Sequence, residues 1–186
     1  TCIDKDEAKI ARLKQGEIPI YEPGLDDLVR RNLEAGRLAF DTILKNHVGQ
    51  ADVIFIAVGT PTRRGDGHAD LSYVFAAAEE VAAELSGYSV IVSKSTVPVG
   101  TGRQLEKAIA KANPEADFDI ASNPEFVREG SAINDFMRPD RVVVGAESER
   151  AITIMRQLYR PLYLIETPIL FASLETAELI KYAANA

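Results

Sequence analysis

The chain has 186 residues, 46% of them hydrophobic and 26% charged, with a formal net charge of −7 at pH 7. This length and composition are typical of one globular domain with a buried core, with room for part of a second unit. The negative charge argues against nucleic acid as a partner, because binding to a phosphate backbone needs a basic face.

Strand and helix patterns alternate along the sequence. The predicted strands end at Asp4 or cover residues 38–40, 52–58, 89–94, 118–121, 141–145 and 169–171. The predicted helices cover residues 6–14, 25–33, 43–48, 71–85, 101–112, 149–159 and 174 onward, and a further helix opens at 131–133. The apolar runs at 52–58 and 89–94 are typical of strands that are covered on both faces. The alternation predicts an α/β fold with a doubly wound, mostly parallel, Rossmann-like sheet.

Neither end of the sequence carries the signals of a domain boundary. Residues 1–4 read as the tail of a strand, and the last helical pattern has no C-cap beyond it. We therefore expect an internal segment of a longer protein. In this interpretation residues 1–172 form a Rossmann-like domain that lacks its first strand and Gly-rich turn. Residues 173–186 then begin a central helical region.

Asp4 closes the first predicted strand and precedes a helix. Dinucleotide-binding folds place a carboxylate at this point to bind the hydroxyl groups of the adenosine ribose. The Gly-rich turn that accompanies it should lie about 20 residues upstream. An equally good interpretation makes Asp4 the N-cap of the helix that follows.

Three predicted strands end in polar loops, at residues 60–62, 95–96 and 123–129. Parallel strands bring their carboxyl ends to one edge of a sheet, so we expect these loops to converge. Their hydroxyl and N–H groups suit a ribose, a pyrophosphate or a bound water, although each Thr could instead be a turn or capping residue. In the third loop Pro124 restricts Asn123 to extended geometry. That loop carries two carboxylates and a guanidinium, and its alternative interpretation is an ordinary solvated loop.

Lys181 and Asn185 lie four residues apart in the last helical pattern and therefore share a face. Leu174 and Ala177 lie on the same face, so we expect it to turn inward. A buried ammonium group is either paired or functional. Lys181 could hold the negative charge that develops on a substrate oxygen, or it could form a surface ion pair with Glu178.

Cys2 is the single cysteine, so no internal disulfide can form, which favours the cytoplasm. We expect it to be a buried strand thiol with a packing role. His47 and His68 have no partner at metal-ligand spacing, so no metal site is predicted. We recognise no signal peptide and no apolar run near the roughly 20 residues of a membrane span, so no membrane partner is expected.

Five sequence blocks resemble the UDP-glucose/GDP-mannose dehydrogenase family, in the same order and across essentially the whole chain. They are Pro19–Leu25 (PIYEPGL), Ser95–Gly102 (STVPVGTG), Asn123–Gly130 (NPEFVREG), Phe136–Arg141 (FMRPDR) and Thr176–Asn185 (TAELIKYAAN). The EGSA run at 129–132 and the KYAAN run at 181–185 favour the UDP-glucose branch over the GDP-mannose and UDP-N-acetylmannosamine branches.

The resemblance implies an NAD-dependent enzyme that oxidises the C6 alcohol of UDP-glucose to UDP-glucuronate. Two hydride transfers use two NAD and pass through an aldehyde and a cysteine thioester. Residues 1–172 would be the NAD-binding domain. The contacts with NAD that it implies are Asp4, Lys9, Thr62, Thr96 and Glu129.

The same resemblance implies a set of substrate and catalytic residues. Contacts with UDP-glucose fall on Glu125, Phe126, Val127, Arg128, Glu129, Lys181 and Asn185. The catalytic set is Thr96, Glu125, Glu129, Lys181 and Asn185. Thr96 would hold a catalytic water, Glu125 would act as general base, and Lys181 with Asn185 would stabilise the C6 oxyanion.

Other parts of the family pattern are expected outside these 186 residues. The Gly-rich turn would precede Thr1, and the nucleophilic cysteine, the UDP-binding domain and the dimerising helix would follow Ala186. We therefore expect a homodimer that forms through the region after residue 186. The alternative from a different class is a non-catalytic Rossmann-like module that binds a nucleotide or a protein, because this fold hosts many functions.

Overall fold

A computed structural model describes residues 1–63, 65, 68–163 and 167–185. Its strands are β1 Cys2–Ile3, β2 Phe40–Asp41, β3 Val53–Ile56, β4 Ser89–Ser93, β5 Phe118–Ser122, β6 Val142–Gly145 and β7 Ile169–Ala172. Its helices are α1 Glu7–Lys14, α2 Leu25–Glu34, α3 Lys45–Val48, α4 Ser72–Glu84, α5 Thr101–Ala112, α6 Ala132–Met137, α7 Glu149–Tyr163 and α8 Leu174–Asn185. Strands and helices alternate as the sequence predicts, and the α/β fold is confirmed.

The chain divides into two compact units. Unit 1 comprises residues 1–47 and 126–139, and unit 2 comprises residues 48–125 and 140–186. The predicted boundary between residues 172 and 173 separates a cofactor-binding domain from a central helical region, which is not a division by compactness. It stays a prediction.

In unit 1, β1 and β2 pair in parallel, and a small core of Ile10, Val29 and Phe40 forms beneath α1 and α2. The Asp6 side chain accepts a hydrogen bond from the backbone N–H of Lys9 at 2.9 Å and caps α1. The N-cap interpretation of Asp4 is therefore wrong, because the cap lies two residues later. An Asp at this position satisfies one of the N–H groups that the first helical turn leaves without a partner.

Unit 2 contains a five-stranded sheet in the order β3-β4-β5-β6-β7. All neighbours are parallel except β5 and β6, which pair antiparallel at Ser122 and Gly145. Every residue of β4 is buried, as predicted. Phe55 in β3 is 39% exposed, so the expectation that this strand is covered on both faces is wrong. Apolar composition shows what a strand could bury, whereas the neighbouring elements decide which side chains are covered.

Helix α8 packs on β5 and β6 within unit 2. Its approach to β6 is so close that a Cβ atom at Gly145 would lie 2.8 Å from the Ala177 Cβ and 2.8 Å from the Ser173 carbonyl oxygen. Only glycine fits this contact without displacement. Helix α7 continues to Tyr163, four residues beyond its predicted end at Tyr159, although Pro161 lies inside it. None of the helices in the described ranges combines the length and apolar character of a membrane span.

Candidate active site

The loops that follow β3 and β4 are joined by side-chain hydrogen bonds to the main chain. The Thr60 hydroxyl donates to the carbonyl oxygen of Thr96 at 3.1 Å, and the Ser95 hydroxyl donates to that of Val58 at 2.6 Å. The two loops therefore meet at the carboxyl edge of the sheet, as expected for parallel neighbours. Thr96 is half-buried in this position, whereas Thr62 is exposed.

Asn123 connects the loop after β5 to the rest of unit 2. It is only 1% exposed, and its Nδ2 donates to the carbonyl oxygen of Val143 at 2.8 Å. Its Oδ1 accepts from Lys94 Nζ at 3.0 Å and from the Tyr159 hydroxyl. The amide group thus uses both of its ends on buried partners, which fixes the start of the loop that leads to Glu125.

Lys94 is a charged residue of this site that the sequence analysis did not single out. Burial lowers the pKa of Lys94 to about 8, an effect that the negative charge of Glu125 opposes and the positive charge of Lys181 reinforces. The sequence did contain a sign of its burial, because Lys94 directly follows the wholly buried strand β4. Ser93 pairs with Ser122, the last residue of β5, so Lys94 lies beside Asn123.

Lys181 is 7% exposed and contacts Glu125 through two hydrogen bonds. Its Nζ donates to the main-chain carbonyl oxygen of Glu125 at 2.6 Å and to Oε1 of the same residue at 3.0 Å. The inward orientation that the sequence predicts is confirmed. The alternative of a surface ion pair with Glu178 is wrong, because Lys181 is buried and its carboxylate partner is Glu125.

Glu178 lies one turn before Lys181 on α8 and is 2% exposed. Its two carboxylate oxygens accept from the backbone N–H groups of Gly100 at 2.6 Å and Gly102 at 2.7 Å. Burial raises the pKa of Glu178, while these two hydrogen bonds oppose the rise. Gly100, with φ of 91°, precedes α5 without providing a capping side chain, so a carboxylate from another helix takes that place.

Asp4 and Lys9 lie together in unit 1, directly after β1. Lys9 Nζ donates to Asp4 Oδ2 at 2.5 Å, and the backbone N–H of Asp6 donates to Oδ1 at 3.0 Å. These contacts, with the Lys9 hydrogen bond first, hold the pKa of Asp4 below its usual value. The lowered pKa keeps the Asp4 carboxylate ionised at neutral pH, and its partial exposure leaves it accessible to a ligand hydroxyl.

Residues 126–129, which the sequence analysis assigned to the sugar site, belong to unit 1, whereas Glu125 belongs to unit 2. Arg128 forms a bidentate pair with Asp135: its Nη2 donates to Oδ1 at 2.7 Å and its Nε donates to Oδ2 at 2.9 Å. These hydrogen bonds lower the pKa of Asp135 to about 2. Phe126 is 36% exposed, Val127 is half-buried and Glu129 is exposed. The guanidinium of Arg128 is thus already held by a carboxylate of its own unit.

Glu22 supports the same segment, a role that the sequence analysis missed. Its carboxylate accepts from the backbone N–H groups of Gly130 at 2.9 Å and Ile133 at 3.3 Å. Nothing local in the sequence points to a contact between positions 108 residues apart.

Cys2 and Asn185 are the remaining residues that the sequence analysis singled out at the two ends of the chain. Cys2 lies in β1 as predicted, but its side chain is exposed, so the expectation of a buried thiol is wrong. A two-residue strand whose described partner is β2 alone leaves room for solvent at its side chains. Asn185 is the last residue of α8, and the structure describes its backbone only.

Comparison with protein families gives a match over residues 1–163 to the NAD binding domain of the UDP-glucose/GDP-mannose dehydrogenase family. The chain is 60% identical to UDP-glucose 6-dehydrogenase of Rhizobium meliloti (strain 1021), in an alignment that covers all of this chain and 43% of that protein. It is 50% identical to UDP-glucose 6-dehydrogenase TuaD of Bacillus subtilis (strain 168), over all of this chain and 40% of that protein. The chain therefore spans about two-fifths of the length of these relatives.

Solved structures give the same result. A UDP-glucose dehydrogenase from Pyrobaculum islandicum superimposes with a TM-score of 0.92 at 42% identity, covering 98% of this chain and 42% of that one. A GDP-mannose dehydrogenase from Pseudomonas aeruginosa superimposes with a TM-score of 0.92 at 34% identity, covering 98% of this chain and 43% of that one. With the family match over 163 of the 186 residues, the chain belongs to the UDP-glucose/GDP-mannose dehydrogenase family and contains its NAD binding domain.

Proposed function

We propose that this chain is the cofactor-binding part of an enzyme that oxidises the C6 alcohol of UDP-glucose to UDP-glucuronate with two NAD. The observation that carries the proposal is the buried Lys181, whose ammonium lies 3.0 Å from Glu125 Oε1. A cation that can stabilise an oxyanion and a carboxylate that can act as a general base are two of the groups that the chemistry needs. The identity of 60% to a UDP-glucose 6-dehydrogenase supports UDP-glucose as the substrate.

Five residues fit NAD in the chemistry of their donors and acceptors. Asp4 is an ionised acceptor suited to ribose hydroxyls, with Lys9 beside it. Thr62 and Thr96 offer hydroxyl groups on the loops after β3 and β4, and Glu129 is exposed on its loop. We propose these five residues as the NAD contacts. Bound NAD would supply a hydride acceptor for the C6 carbon.

Lys181 is proposed to stabilise negative charge on the C6 oxygen. A fixed ammonium in a water-poor position favours an alkoxide-like species over the neutral alcohol, and the same holds for a tetrahedral adduct. Asn185, four residues later on α8, is proposed to donate a further hydrogen bond to that oxygen. Thr96 is proposed to hold the water that attacks the thioester.

Glu125 is proposed to be the general base that activates this water. Its side chain is 32% exposed, and the Lys181 contact holds it at the edge of the sheet. Residues 126–129, from Phe126 to Glu129, are proposed to surround the sugar, with Arg128 fixed by Asp135.

The test is NADH formation by the complete protein that contains this chain, with UDP-glucose, GDP-mannose and UDP-N-acetylmannosamine compared side by side. We expect the highest kcat/KM with UDP-glucose. GDP-mannose is the second candidate, because the GDP-mannose dehydrogenase superimposes as well as the UDP-glucose dehydrogenase. Binding of NAD without turnover of any of the three sugars would favour a non-catalytic nucleotide-binding module. The homodimer and the cytoplasmic location stay predictions.

We expect NAD to be preferred over NADP by at least about tenfold in kcat/KM, because the Asp4 carboxylate attracts ribose hydroxyls and repels a 2′-phosphate. Asp4→Asn should raise the KM for NAD and narrow this preference. Asp6→Asn is the matched control: it removes the same charge two residues away, and Asn still caps α1. Equal effects of the two substitutions would contradict a specific role of Asp4.

Glu125→Gln should slow release of the acid product far more than the first hydride transfer. Gln keeps an acceptor for Lys181 but cannot take a proton from water, and a general base contributes about 10²–10⁴-fold. Rapid-quench analysis should show a normal first burst of NADH followed by accumulation of a covalent sugar thioester. A slower first burst with no thioester would remove Glu125 from the hydrolytic step.

A further inference from the structure

Three side-chain contacts and three short chain segments form a closed ring in unit 2. The contacts are Lys181 to Glu125, Lys94 to Asn123, and Glu178 to Gly100. The segments that join them are 123–125, 94–100 and 178–181. We call this arrangement the α8 ring. It links α8 to the loops after β4 and β5, and Thr96 lies on one of its segments.

Glu178 makes a contact of this ring that no proposed catalytic role explains. It is 2% exposed, and both of its oxygens are bonded to backbone N–H groups, at 2.6 and 2.7 Å. A buried carboxylate is costly unless hydrogen bonds satisfy it, and those from N–H groups at a helix N-terminus are especially favourable. The two bonds fix the far end of segment 94–100 on α8, three residues before Lys181.

The other end of that segment is fixed independently. Lys94 is bonded to Asn123, and the Thr96 carbonyl oxygen accepts from Thr60. With the segment held at both ends, the position of Thr96 relative to Lys181 depends on the Glu178 contact together with the Lys94 contact. A shift of about 1 Å between groups that must act on one substrate can cost about a hundredfold in rate.

We propose that Glu178 is a positioning residue of the reaction, which sets Thr96 and Lys181 at a fixed separation by anchoring the start of α5 to α8. This inference rests on the proposed function. The Glu178 carboxylate bonds to the main chain at Gly100 and Gly102, so its effect on Thr96 is transmitted through the backbone.

Two substitutions of Glu178 test separately its pair of acceptor oxygens and the length of its side chain. Glu178→Gln keeps the length of the side chain but has a single oxygen, so its NH2 group would face one of the two N–H donors. Glu178→Asp keeps the charge but is one methylene shorter. Leu174→Ala is the control, because Leu174 is buried on the same helix and packs at the same glycine, Gly102, without taking part in the ring.

The experiment uses the complete enzyme and three readouts: kcat with its deuterium isotope effect on UDP-glucose labelled at C6, thermal melting, and hydrogen exchange read on peptides. We expect Glu178→Gln to lower kcat by about tenfold or more and to change the isotope effect. The isotope effect rises where hydride transfer slows through Lys181, and it falls where thioester hydrolysis slows through Thr96. Glu178→Asp should recover part of the rate. Leu174→Ala should lower the melting temperature while leaving the isotope effect unchanged.

Hydrogen exchange tests the ring without reference to turnover. In Glu178→Gln we expect faster exchange both in a peptide over 94–102 and in one over 120–128, because breaking the ring loosens both loops. Faster exchange in the first peptide alone, or a loss of kcat with an unchanged isotope effect, would make Glu178 a local cap and overturn the inference. If wild-type enzyme turns over none of the three nucleotide sugars, the proposed function fails and the role of Glu178 in the reaction fails with it. Normal wild-type turnover with an unaffected Glu178→Gln variant overturns the inference alone.

Discussion

Lys181→Ala should lower kcat by about a hundred- to a thousandfold, with a much smaller effect on the affinity for UDP-glucose. Removing one fixed donor from a developing oxyanion typically costs about 2.7–4 kcal/mol of transition-state stabilisation. Lys181 is 7% exposed and its Nζ is held by two hydrogen bonds to Glu125, so the ammonium is already in place before the charge develops. An interaction made mainly in the transition state changes kcat and not only KM.

Steady-state kinetics and a thermal melt on the same preparations check this prediction. Glu125 keeps a partly exposed side chain, so water can solvate it after the substitution and the melting temperature should fall only modestly. Lys107→Ala, at an exposed position of α5, is the control for loss of a positive charge and should behave as wild type. A kcat within a few-fold of wild type in Lys181→Ala would show that the pair with Glu125 is structural.

Asn123→Ala should be the most destabilising single substitution among the polar residues of the site. It removes the acceptor of the Lys94 ammonium and of the Tyr159 hydroxyl, together with the donor to the Val143 carbonyl oxygen. Each buried polar group left without a partner costs about 1–3 kcal/mol, and loss of the Lys94 contact adds to this cost. We therefore expect the free energy of unfolding to fall by at least about 3 kcal/mol.

Urea unfolding of the complete protein measures this loss. Tyr159→Phe is the matched control, because it removes one hydroxyl from the same Asn123 oxygen and leaves the Lys94 contact in place. It should cost about 1 kcal/mol, the value of a typical hydrogen bond. Equal losses for the two substitutions would mean that water replaces the Asn123 amide.

The sequence predicted the sheet and its helices well because their signals are local. The apolar residues of β4 and the start of α5 after Gly100 can be read from neighbouring positions, and α5 begins and ends where its pattern does. The end of α7 could not be read in this way. The predicted end at Tyr159 lies four residues early, because the helix continues through Pro161 to Tyr163.

The site was harder to predict because its contacts join distant positions. The pattern on α8 indicated that Lys181 turns inward, but not that its partner is Glu125, 56 residues away. Glu178 entered the sequence analysis only as the partner of Lys181 in the alternative of a surface ion pair. Its role depends on the N-terminus of α5, 76 to 78 residues upstream, which no local pattern can indicate.

The division into two units has a consequence for how the chain can be shortened. The chain crosses between the units three times, after residues 47, 125 and 139. A fragment that begins at residue 48 would retain the five strands of unit 2 and the whole α8 ring. It would also retain residues 126–139 while losing Glu22, the acceptor for the N–H groups of Gly130 and Ile133. Segment 126–139 without its hydrogen bonds to Glu22 would be a preferred site of proteolytic cleavage. A stable minimal fragment of unit 2 therefore requires a short linker in place of residues 126–139, in addition to a new N-terminus.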